Sequence, residues 1–425
     1  MKENIVSVVL WGRKVCTIRW DGGYQKGFGR IGSVVSFERG FSELGYDISP
    51  LRYSIRSPLV IRGLSIPCHE NEYEGLPSFL SDSLPDDWGN EVFNKWMERH
   101  NIRAKDISPV DKLTFIGKRG MGAFEFEPAE DVSSGSGAIE LESLYELAME
   151  IQRSRENVDF NVGQDPNIEE LMQVGTSAGG KHPKAIVAYN RKTGEIKSGQ
   201  ILLPSDFSQC IIKFNDIESW PASEIEYAYY LMARECGIDM TSSELLEVGG
   251  RNHFLTERFD RKDGDKNITA TAYAIGGRMT DYSELFYTAR QMRLPADETS
   301  QLYRRMVFNY LAGNSDDHDK NFSFMMGKDS VWHLAPAYDM TFAINLKNRF
   351  FGDRHAMAIY GKRNGITMAD LLEFARRNDI PEAKGIIEKT LDAVGHFSAF
   401  AEKAGVPDNI TGIINASLTP WLFGN

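Results

Sequence analysis

The spacing of apolar residues changes along this chain, and the change restricts the fold it can adopt. Over residues 1–65, short β-forming runs alternate with glycine-containing turns, which predicts a small antiparallel sheet, and further strands are predicted up to about residue 260. After Ser283 the apolar residues recur at helical spacing. Because 425 residues are too many for one ordinary hydrophobic core, we predict an α+β protein of several domains. Strands are expected at 5–10, 15–20, 34–37, 122–126, 185–188, 209–214 and near 253–258, and helices at 76–100, 139–155, 223–235, 284–293, 297–312, 368–377, 382–404 and 407–416.

Turn-forming residues divide the chain into three predicted domains. The Ser- and Gly-rich stretch 131–137 has the composition of a linker, so residues 1–135 form a predicted N-terminal α/β subdomain with an antiparallel sheet. Residues 136–260 are predicted to form a β-rich small lobe with one inserted helix. Residues 261–425 are predicted to form a mostly helical large lobe that carries two polar loops.

Composition and charge argue against several classes of protein. The formal net charge of −12 argues against tight binding of bare nucleic acid, since phosphate contacts need clustered Lys and Arg. The four cysteines are scattered without a Cys-x-x-Cys pair, so neither a disulfide framework nor a zinc site is expected. The sequence shows no signal-peptide pattern and no run of about 18 apolar residues, so we expect a cytoplasmic protein that does not enter the membrane.

A glycine-rich loop at residues 175–181 nearly spells the phosphate-binding loop of P-loop nucleotide-binding proteins. However, His182 stands where that motif needs a Ser or Thr hydroxyl, and Pro183 with a β-forming run replaces the helix that should follow. We therefore expect a loop between two strands, whose backbone N–H groups can lie over phosphates as they do in kinases. A glycine-rich hairpin without a ligand is the alternative interpretation.

Lys213 lies inside an apolar run and is predicted to belong to a strand. A lysine at such a position either reaches solvent or is held inward by an anion, and a protein kinase needs a strand lysine on the phosphates of ATP. Further along, Ser223 and Glu226 have the spacing of a capping box at a helix start. Alternatively, Glu226 pairs with Lys213 as the helix carboxylate of a kinase small lobe.

The polar loop at residues 314–321 is the strongest local signal, because apolar runs on both sides should hold it at the edge of a core. Asp316 can accept the proton of an attacking hydroxyl. Asn321 and, about one strand later, Asp339 can supply oxygen ligands to Mg²⁺. His318 has no second His at ligand spacing, which argues against zinc. A Ca²⁺ loop would need Gly in place of Asn321 at its sixth position.

The order of these elements matters more than any one of them. A glycine-rich loop, a strand lysine, an Asp-x4-Asn loop and a later Asp follow one another here as they do in protein kinases. The sequence therefore predicts phosphoryl transfer as the reaction and ATP and Mg²⁺ as the cofactors.

The same motifs resemble the HipA family of bacterial toxin–antitoxin serine/threonine kinases. The resemblance is carried by residues 177–184, 211–213, 257–261, 316–321 and 338–339, with 84–86 and 116–117 nearer the N-terminus. It implies a protein-kinase-like two-lobed fold with an extra N-terminal subdomain. Members of the family pair with a HipB-like helix-turn-helix antitoxin that binds operator DNA, so this chain would reach DNA only through the antitoxin. Their substrates include aminoacyl-tRNA synthetases.

Carried over position by position, the resemblance implies a role for each candidate residue. Asp316 would be the catalytic base, and Asn321 and Asp339 would bind Mg²⁺. Ser177 matches the serine whose autophosphorylation silences such kinases, although Thr176 adjoins it. The nucleotide would be held by Gly179, Gly180, Lys181, His182, Pro183, Lys184 and Lys213 at the phosphates, by Glu257, Arg258 and Phe259 at the adenine, and by His318 nearby.

Other functions stay open on the sequence alone. Asp317 and Asp319 make the polar loop more acidic than the usual motif, which would either raise metal affinity or disturb it. The alternative functions are a catalytically silent scaffold that binds a repressor, a metal-dependent phosphohydrolase and a small-molecule kinase. A basic stretch follows Asp339. It forms either a solvated loop or a contact with an acidic partner or the acceptor protein. Its members are Arg349, Arg354, His355, Lys362 and Arg363.

Overall fold

The computed structural model describes residues 5–25, 29–129, 141–154, 171, 180–199, 204–216, 219–262, 264–347 and 353–423. The predicted linker 131–137 and the predicted site residues Thr176, Ser177 and Gly179 lie outside these ranges. The chain divides into two compact units. The first unit comprises Met1–Asp216, Leu255–Ala270 and Met325–Val331, and the second comprises Ile217–Phe254, Thr271–Phe324 and Trp332–Asn425. The division into three domains stays a prediction.

The N-terminal part of the first unit is built on a six-stranded antiparallel sheet. Its elements are β1 (Ile5–Leu10), β2 (Arg13–Trp20), β3 (Tyr24–Gln25), β4 (Gly29–Phe37), α1 (Pro58–Ile61), β5 (Ser65–His69), α2 (Asp87–Arg99), α3 (Pro109–Ile116) and β6 (Phe124–Glu127), followed by α4 (Leu141–Ser154). The strands lie in the order β3-β4-β2-β1-β6, with β5 paired to β4. Val6, Val8 and Ile18 are buried because alternate side chains of a strand point to one face.

A second sheet, of five strands, carries the strands predicted to bind phosphate. Its strands are β7 (Lys184–Tyr189), β8 (Ile196–Ser198), β9 (Ser208–Lys213), β10 (Ser243–Val248) and β11 (Arg251–Glu257), and helix α5 (Ala222–Glu235) follows β9. They lie in the order β10-β11-β9-β7-β8. The small strands β12 (Arg261–Lys262) and β13 (Asp265–Lys266) form a hairpin, and β14 (Ile268–Thr271), β15 (Ser323–Met326) and β16 (Trp332–Leu334) form a three-stranded sheet.

Helices build most of the second unit. They are α6 (Ala272–Gly276), α7 (Tyr282–Gln291), α8 (Ala296–Leu311), α9 (Met368–Arg377), α10 (Ala383–Gly395), α11 (Phe397–Ala404) and α12 (Asp408–Phe423). Helix α8 is central, since every residue from Arg305 to its end is buried. Around Tyr229 of α5, edge-to-face rings of Phe308 and Phe397 fill the space between helices. No helix in the described ranges is both long enough and apolar enough to cross a membrane.

Most of the predicted elements are found, with three instructive errors. The helix predicted over 76–100 begins only at Asp87, after a short 3-10 helix at Ser78–Ser83. The helix predicted over 382–404 is two helices, α10 and α11, which meet at His396. The capping box predicted at Ser223 and Glu226 is wrong. Helix α5 begins at Ala222 after Pro221, which cannot cap with its side chain, and Ser223 is buried inside the first turn. An N-cap hydroxyl must precede the first turn, so this start leaves Ser223 no capping role.

A buried ion pair fixes the segment that follows β11. The guanidinium of Arg258 donates to both carboxylate oxygens of Asp260, at 2.9 and 2.7 Å, and both side chains are fully buried. The Asp260 carboxylate also accepts from the backbone N–H of Gly122 at 2.7 Å and from Arg261. Burial alone would raise the pKa of Asp260, but the two guanidinium groups outweigh it and lower the pKa to about 2.

We predict that Asp260→Asn destabilises the protein by roughly 3–5 kcal/mol at neutral pH, because it leaves buried guanidinium groups without a counter-charge. Since the folded-state pKa of Asp260 is depressed, its contribution is complete above about pH 4 and is lost as the pH falls toward 2. Urea unfolding of wild type and variant across this range measures both effects.

The matched control is Asp265→Asn in the neighbouring hairpin. Asp265 forms an exposed ion pair with Lys328 at 2.7 Å, so its loss should cost no more than about 1 kcal/mol. Equal destabilisation by both variants would contradict the assignment of Asp260 as the buried anchor.

Candidate active site

The polar loop begins where helix α8 ends, and a glycine makes the turn. Gly313 has φ of +67°, and a Cβ at this position would lie 2.8 Å from Cδ1 of Ile344. The left-handed backbone therefore favours glycine, and a side chain here would also have to displace the end of the Ile344 side chain. The N–H of Asn314 then bonds the carbonyl of Asn309 at 2.9 Å, which closes the turn and directs the chain into the loop.

Asp317 is the buried anchor of this loop. Its Oδ2 accepts the hydroxyl of Tyr282 at 2.7 Å and Nδ1 of His355 at 3.0 Å, and its Oδ1 accepts the backbone N–H groups of Ala356 and Met357 at 2.9 and 3.3 Å. The carboxylate is fully buried, so these donors take the place of water.

A second layer of contacts supports the donors to Asp317. Asn309 donates to the hydroxyl of Tyr282 at 3.0 Å and accepts from Nδ2 of Asn314 at 2.9 Å. The rings of His355 and Tyr310 stack with centroids 3.8 Å apart. Burial and the nearby carboxylate raise the pKa of Tyr282 above its ordinary value, so its hydroxyl stays a donor.

Acidic side chains of the loop alternate between the interior and solvent. Asp319 is buried and accepts the backbone N–H of Met279 at 2.7 Å, whereas Asp316 is exposed. Asp317 and Asp319 therefore hold the loop in place, and their effect on metal affinity stays a prediction. Their anchoring displays the Asp316 carboxylate at the surface.

Asn321 and Asp339 lie on segments tied to the same loop. The amide nitrogen of Asn321 donates to the carbonyl of Asp316 at 2.8 Å. The hydroxyl of Tyr338, next to Asp339, donates to the carbonyl of Lys320 at 2.8 Å. Asp339 itself has φ of +53°, a left-handed conformation that a non-glycine residue adopts at a cost and that often marks a functional position.

Oxygen atoms of Asn321 and Asp339 suit the few ligands that Mg²⁺ takes from a protein. Because the amide nitrogen of Asn321 is engaged with Asp316, its amide oxygen is the atom presented to a cation. Among the described residues, no group of three or more His, Cys, Asp or Glu side chains could hold a metal ion. A cation at these two residues would therefore complete its shell with water and phosphate oxygens.

A pocket of the second unit opens beside Asp316, and two arginines face it. Its lining consists of Ser315, Asp316, Ala343, Asn345, Arg354, His355, Ala356 and Arg363. His318 is half-buried at the other end of the loop.

Lys184 and Lys213 lie opposite each other in the first unit. They are partners in the antiparallel register of β7 and β9, so their side chains leave the same face of the sheet. Directly opposed like charges destabilise a sheet, which makes this pair a natural place for an anion. Gly180, just before β7, has φ of +115°, and a Cβ there would lie 2.5 Å from Nζ of Lys184.

Asp86, which sequence reasoning did not assign to the site, reaches Lys184. One carboxylate oxygen of Asp86 caps helix α2 through Gly89 N–H at 2.8 Å, and the other lies 3.8 Å from Nζ of Lys184. Among the described residues that second oxygen is buried without a hydrogen bond, and burial raises the pKa of Asp86 to about 6 despite the lysine. The only signal in the sequence was its place in the motif at 84–86.

Other predicted nucleotide residues have partners of their own in the first unit. His182 bonds the carboxylate of Asp216 at 2.8 Å through Nδ1, and Glu257 forms an ion pair with Arg191. The Arg258 side chain is committed to Asp260, so its predicted part in an adenine site can come only from its backbone. Lys181 is exposed, Pro183 is buried and Phe259 is half-buried.

Several of the predicted roles stay predictions. Asp316, His318, Asn321 and Asp339 are brought together on one loop system of the second unit. Gly180, Lys184 and Lys213 lie together in the first unit, where β7 begins and β9 ends. Glu226 is half-buried on α5, and its pairing with Lys213 stays a prediction. Of the phosphorylation candidates, Ser177 and Thr176 lie outside the described residues, as does Gly179.

Two family models match this chain. The model of the HipA-like C-terminal domain matches residues 176–400, and the model of the HipA N-terminal domain matches residues 6–127. The first match alone spans more than half of the sequence, and the chain belongs to the HipA family.

Individual relatives show how far the similarity extends. A putative kinase of Haemophilus influenzae is 31% identical over 143 residues, which are 29% of this chain and 42% of the relative. The serine/threonine-protein kinase toxin HipA of Shewanella oneidensis is 24% identical over 191 residues, which are 39% of this chain and 42% of the relative. The chain thus spans less than half the length of these two relatives.

A solved structure extends the likeness to the whole fold. The complex of HipA, HipB and operator DNA from Shewanella oneidensis MR-1 matches with a TM-score of 0.65 at 17% identity, covering 98% of this chain and 95% of that one. At this identity the likeness shows the fold alone. It confirms the predicted mixed fold of helices and sheets.

We expect the same Asp→Asn substitution to lower the stability of the protein strongly at Asp317 and very little at Asp316. Asp317→Asn places an amide against donors that need a carboxylate, so we expect the free energy of unfolding to fall by roughly 3–5 kcal/mol. Asp316→Asn, at an exposed position, should change it by no more than about 0.5 kcal/mol. Urea unfolding followed by tryptophan fluorescence measures both, and an unaffected Asp317 variant would refute the anchoring role.

Proposed function

We propose that this protein is an ATP- and Mg²⁺-dependent serine/threonine protein kinase that acts as the toxin of a toxin–antitoxin pair. The proposal includes the two-lobed protein-kinase fold. Membership of the HipA family and the kinases among the relatives support it. The observation that carries it is the exposed Asp316 on a loop anchored by buried carboxylates, with Asn321 and Asp339 tied to that loop.

Asp316 is assigned the role of general base. Its carboxylate accepts the proton of the acceptor hydroxyl and orients the oxygen for in-line attack. The rigid anchoring through Asp317 matters here, because a misplaced base loses most of its effect. Mg²⁺ bound by Asn321 and Asp339 would neutralise negative charge on the phosphates.

Lys184, Lys213 and the loop around Gly180 are assigned to the phosphates of ATP. Two opposed ammonium groups on one face of the sheet supply the positive charge, and the glycine leaves room for the Lys184 side chain. Asp86 offsets part of this charge and holds the Lys184 ammonium near the start of β7. Glu257, Arg258 and Phe259 are assigned to the adenine, and Lys181, His182, Pro183 and His318 to positions beside the nucleotide.

A HipB-like helix-turn-helix antitoxin is the proposed partner. The solved relative was crystallised with HipB and operator DNA, which supports the same assembly here. A chain of net charge −12 would contact operator DNA through such a DNA-binding partner more readily than by itself. The same proposal includes aminoacyl-tRNA synthetases as candidate substrates. It also includes control of the kinase by phosphorylation at Ser177 or Thr176.

Asp316→Asn should reduce phosphoryl transfer at least about a hundredfold while leaving ATP affinity unchanged, because the lost group moves a proton and does not bind the nucleotide. Transfer is measured by incubating purified protein with Mg-ATP and mapping phosphate by mass spectrometry, with Ser177 and Thr176 as the expected positions. Calorimetric titration with Mg-ATP measures affinity.

Asp329→Asn, an exposed turn position, is the matched control and should behave like wild type. If wild type binds ATP but neither it nor the Asp316 variant transfers phosphate, the protein is a scaffold and the kinase proposal fails. Transfer of phosphate to a small molecule but to no protein would show that the acceptor is a metabolite.

Lys184→Met and Lys213→Met should each weaken ATP binding about tenfold or more, since each removes a charge-assisted contact to phosphate while keeping a side chain of similar length. Lys192→Met, in an exposed turn of the same sheet, is the control and should leave affinity unchanged. Equal ATP affinity in all three variants would contradict the assignment of the lysine pair.

A further inference from the structure

The basic stretch 349–363 does not form one continuous surface. His355 is buried against Asp317, 3.0 Å from its carboxylate, and serves the anchor of the loop. Lys362 forms an ion pair with Asp370 at 2.6 Å. Arg349 lies outside the described residues. Arg354 and Arg363 are the members whose side chains form no ion pair or hydrogen bond within the part of the chain that the structure describes.

Arg354 and Arg363 both line the pocket that contains Asp316. Arg354 is exposed and Arg363 is half-buried. Within the described ranges, neither guanidinium forms an ion pair or a hydrogen bond with another residue. Among the described residues, two guanidinium groups without an ion-pair partner therefore share a pocket with the proposed base.

Main-chain contacts fix these arginines relative to the polar loop. The N–H of His355 bonds the carbonyl of Arg363 at 2.8 Å, and the N–H of Ala356 bonds the carbonyl of Ser315 at 2.9 Å. Arg354 directly precedes His355, which Asp317 holds. Because the same network positions Asp316 and both arginine backbones, the pocket is preorganised for a ligand that spans the base and the positive charges.

Guanidinium groups are suited to one kind of ligand. Each presents a planar set of N–H donors that matches the two oxygens of a carboxylate or the oxygens of a phosphate monoester. A hydroxyl presented to Asp316 is flanked, in a polypeptide acceptor, by neighbouring side chains that reach the rest of the pocket.

We propose that Arg354 and Arg363 bind an anionic side chain of the acceptor polypeptide, a carboxylate or a phosphoserine, beside the hydroxyl presented to Asp316. This inference rests on the proposed kinase function and names its acceptor class, serine or threonine in an acidic segment. In a chain of net charge −12, this positive pair selects such a segment against the general repulsion of the surface.

Binding tests the inference without catalysis. Fluorescently labelled peptides carry one serine flanked by Glu, Gln, Lys or phosphoserine, and anisotropy reports their binding to the full-length protein without ATP. We expect the Glu and phosphoserine peptides to bind most tightly. Arg354→Gln and Arg363→Gln should each weaken their binding about tenfold. Lys362→Gln, whose charge lies outside the pocket lining, should leave it unchanged. A preference for neither anionic peptide, or equal loss in all three variants, overturns the inference.

Transfer kinetics separate this inference from the kinase proposal. With Mg-ATP, the arginine variants should raise KM for the Glu peptide about tenfold and leave KM for ATP unchanged, and Arg354→Glu/Arg363→Glu should favour the Lys peptide. A rise in KM for ATP would place the arginines on the nucleotide and refute an acceptor role. Transfer to all peptides alike refutes the inference while the kinase proposal stands. Selective binding of acidic peptides without any transfer supports the anion site while the kinase proposal fails.

Discussion

The candidate active site depends on one buried carboxylate that has been removed from water. Asp317 receives hydrogen bonds from Tyr282, His355 and two backbone N–H groups, and without them a buried charge of this kind would cost several kcal/mol. The donors come from the start of α7 and from the segment after 353, which lie far from Asp317 in the chain. The loop can therefore adopt its shape only when these separate segments of the second unit have packed together.

Adjacent acidic residues take opposite parts in this arrangement. Asp317 and Asp319 are buried and accept backbone N–H groups of other segments, and these hydrogen bonds fix the loop. Asp316, which directly precedes Asp317, is exposed and lines the pocket. The buried carboxylate of Asp317 thus stabilises the loop. In our proposal the exposed carboxylate of Asp316 transfers the proton, because only an exposed group can contact a substrate.

Charge in the first unit is handled by a related principle. Arg258 and Asp260 neutralise each other in the interior, whereas Lys184 and Lys213 are opposed across two strands, with Asp86 3.8 Å from the Lys184 ammonium. The buried Arg258–Asp260 pair is neutral, whereas two ammonium groups face each other at Lys184 and Lys213. The lysine pair is therefore the better position for an anion. This contrast, more than the glycine-rich loop, distinguishes the proposed phosphate site from an ordinary hairpin.

Much of the secondary structure could be read from local sequence. The helices over 284–293, 297–312 and 368–377 and the strands at 5–10 and 209–214 follow from apolar periodicity, which reports which face of an element is buried. The break at His396 and the start of α5 could not be read in this way. Both depend on where neighbouring helices meet, and Ser223, an ideal cap by spacing, is instead buried in the first turn.

The order of the glycine-rich loop, the strand lysine and the acidic loop was enough to point to phosphoryl transfer, since each chemical group must be present whatever the packing. The sequence did not show which acidic residues of 316–319 are exposed. It also did not show that Arg258 forms an ion pair with Asp260, or which residues of the basic stretch form ion pairs. Those outcomes are decided by partners that are distant in the chain, such as Tyr282 and His355 for Asp317 and Asp370 for Lys362. Only the folded chain brings them within hydrogen-bonding distance.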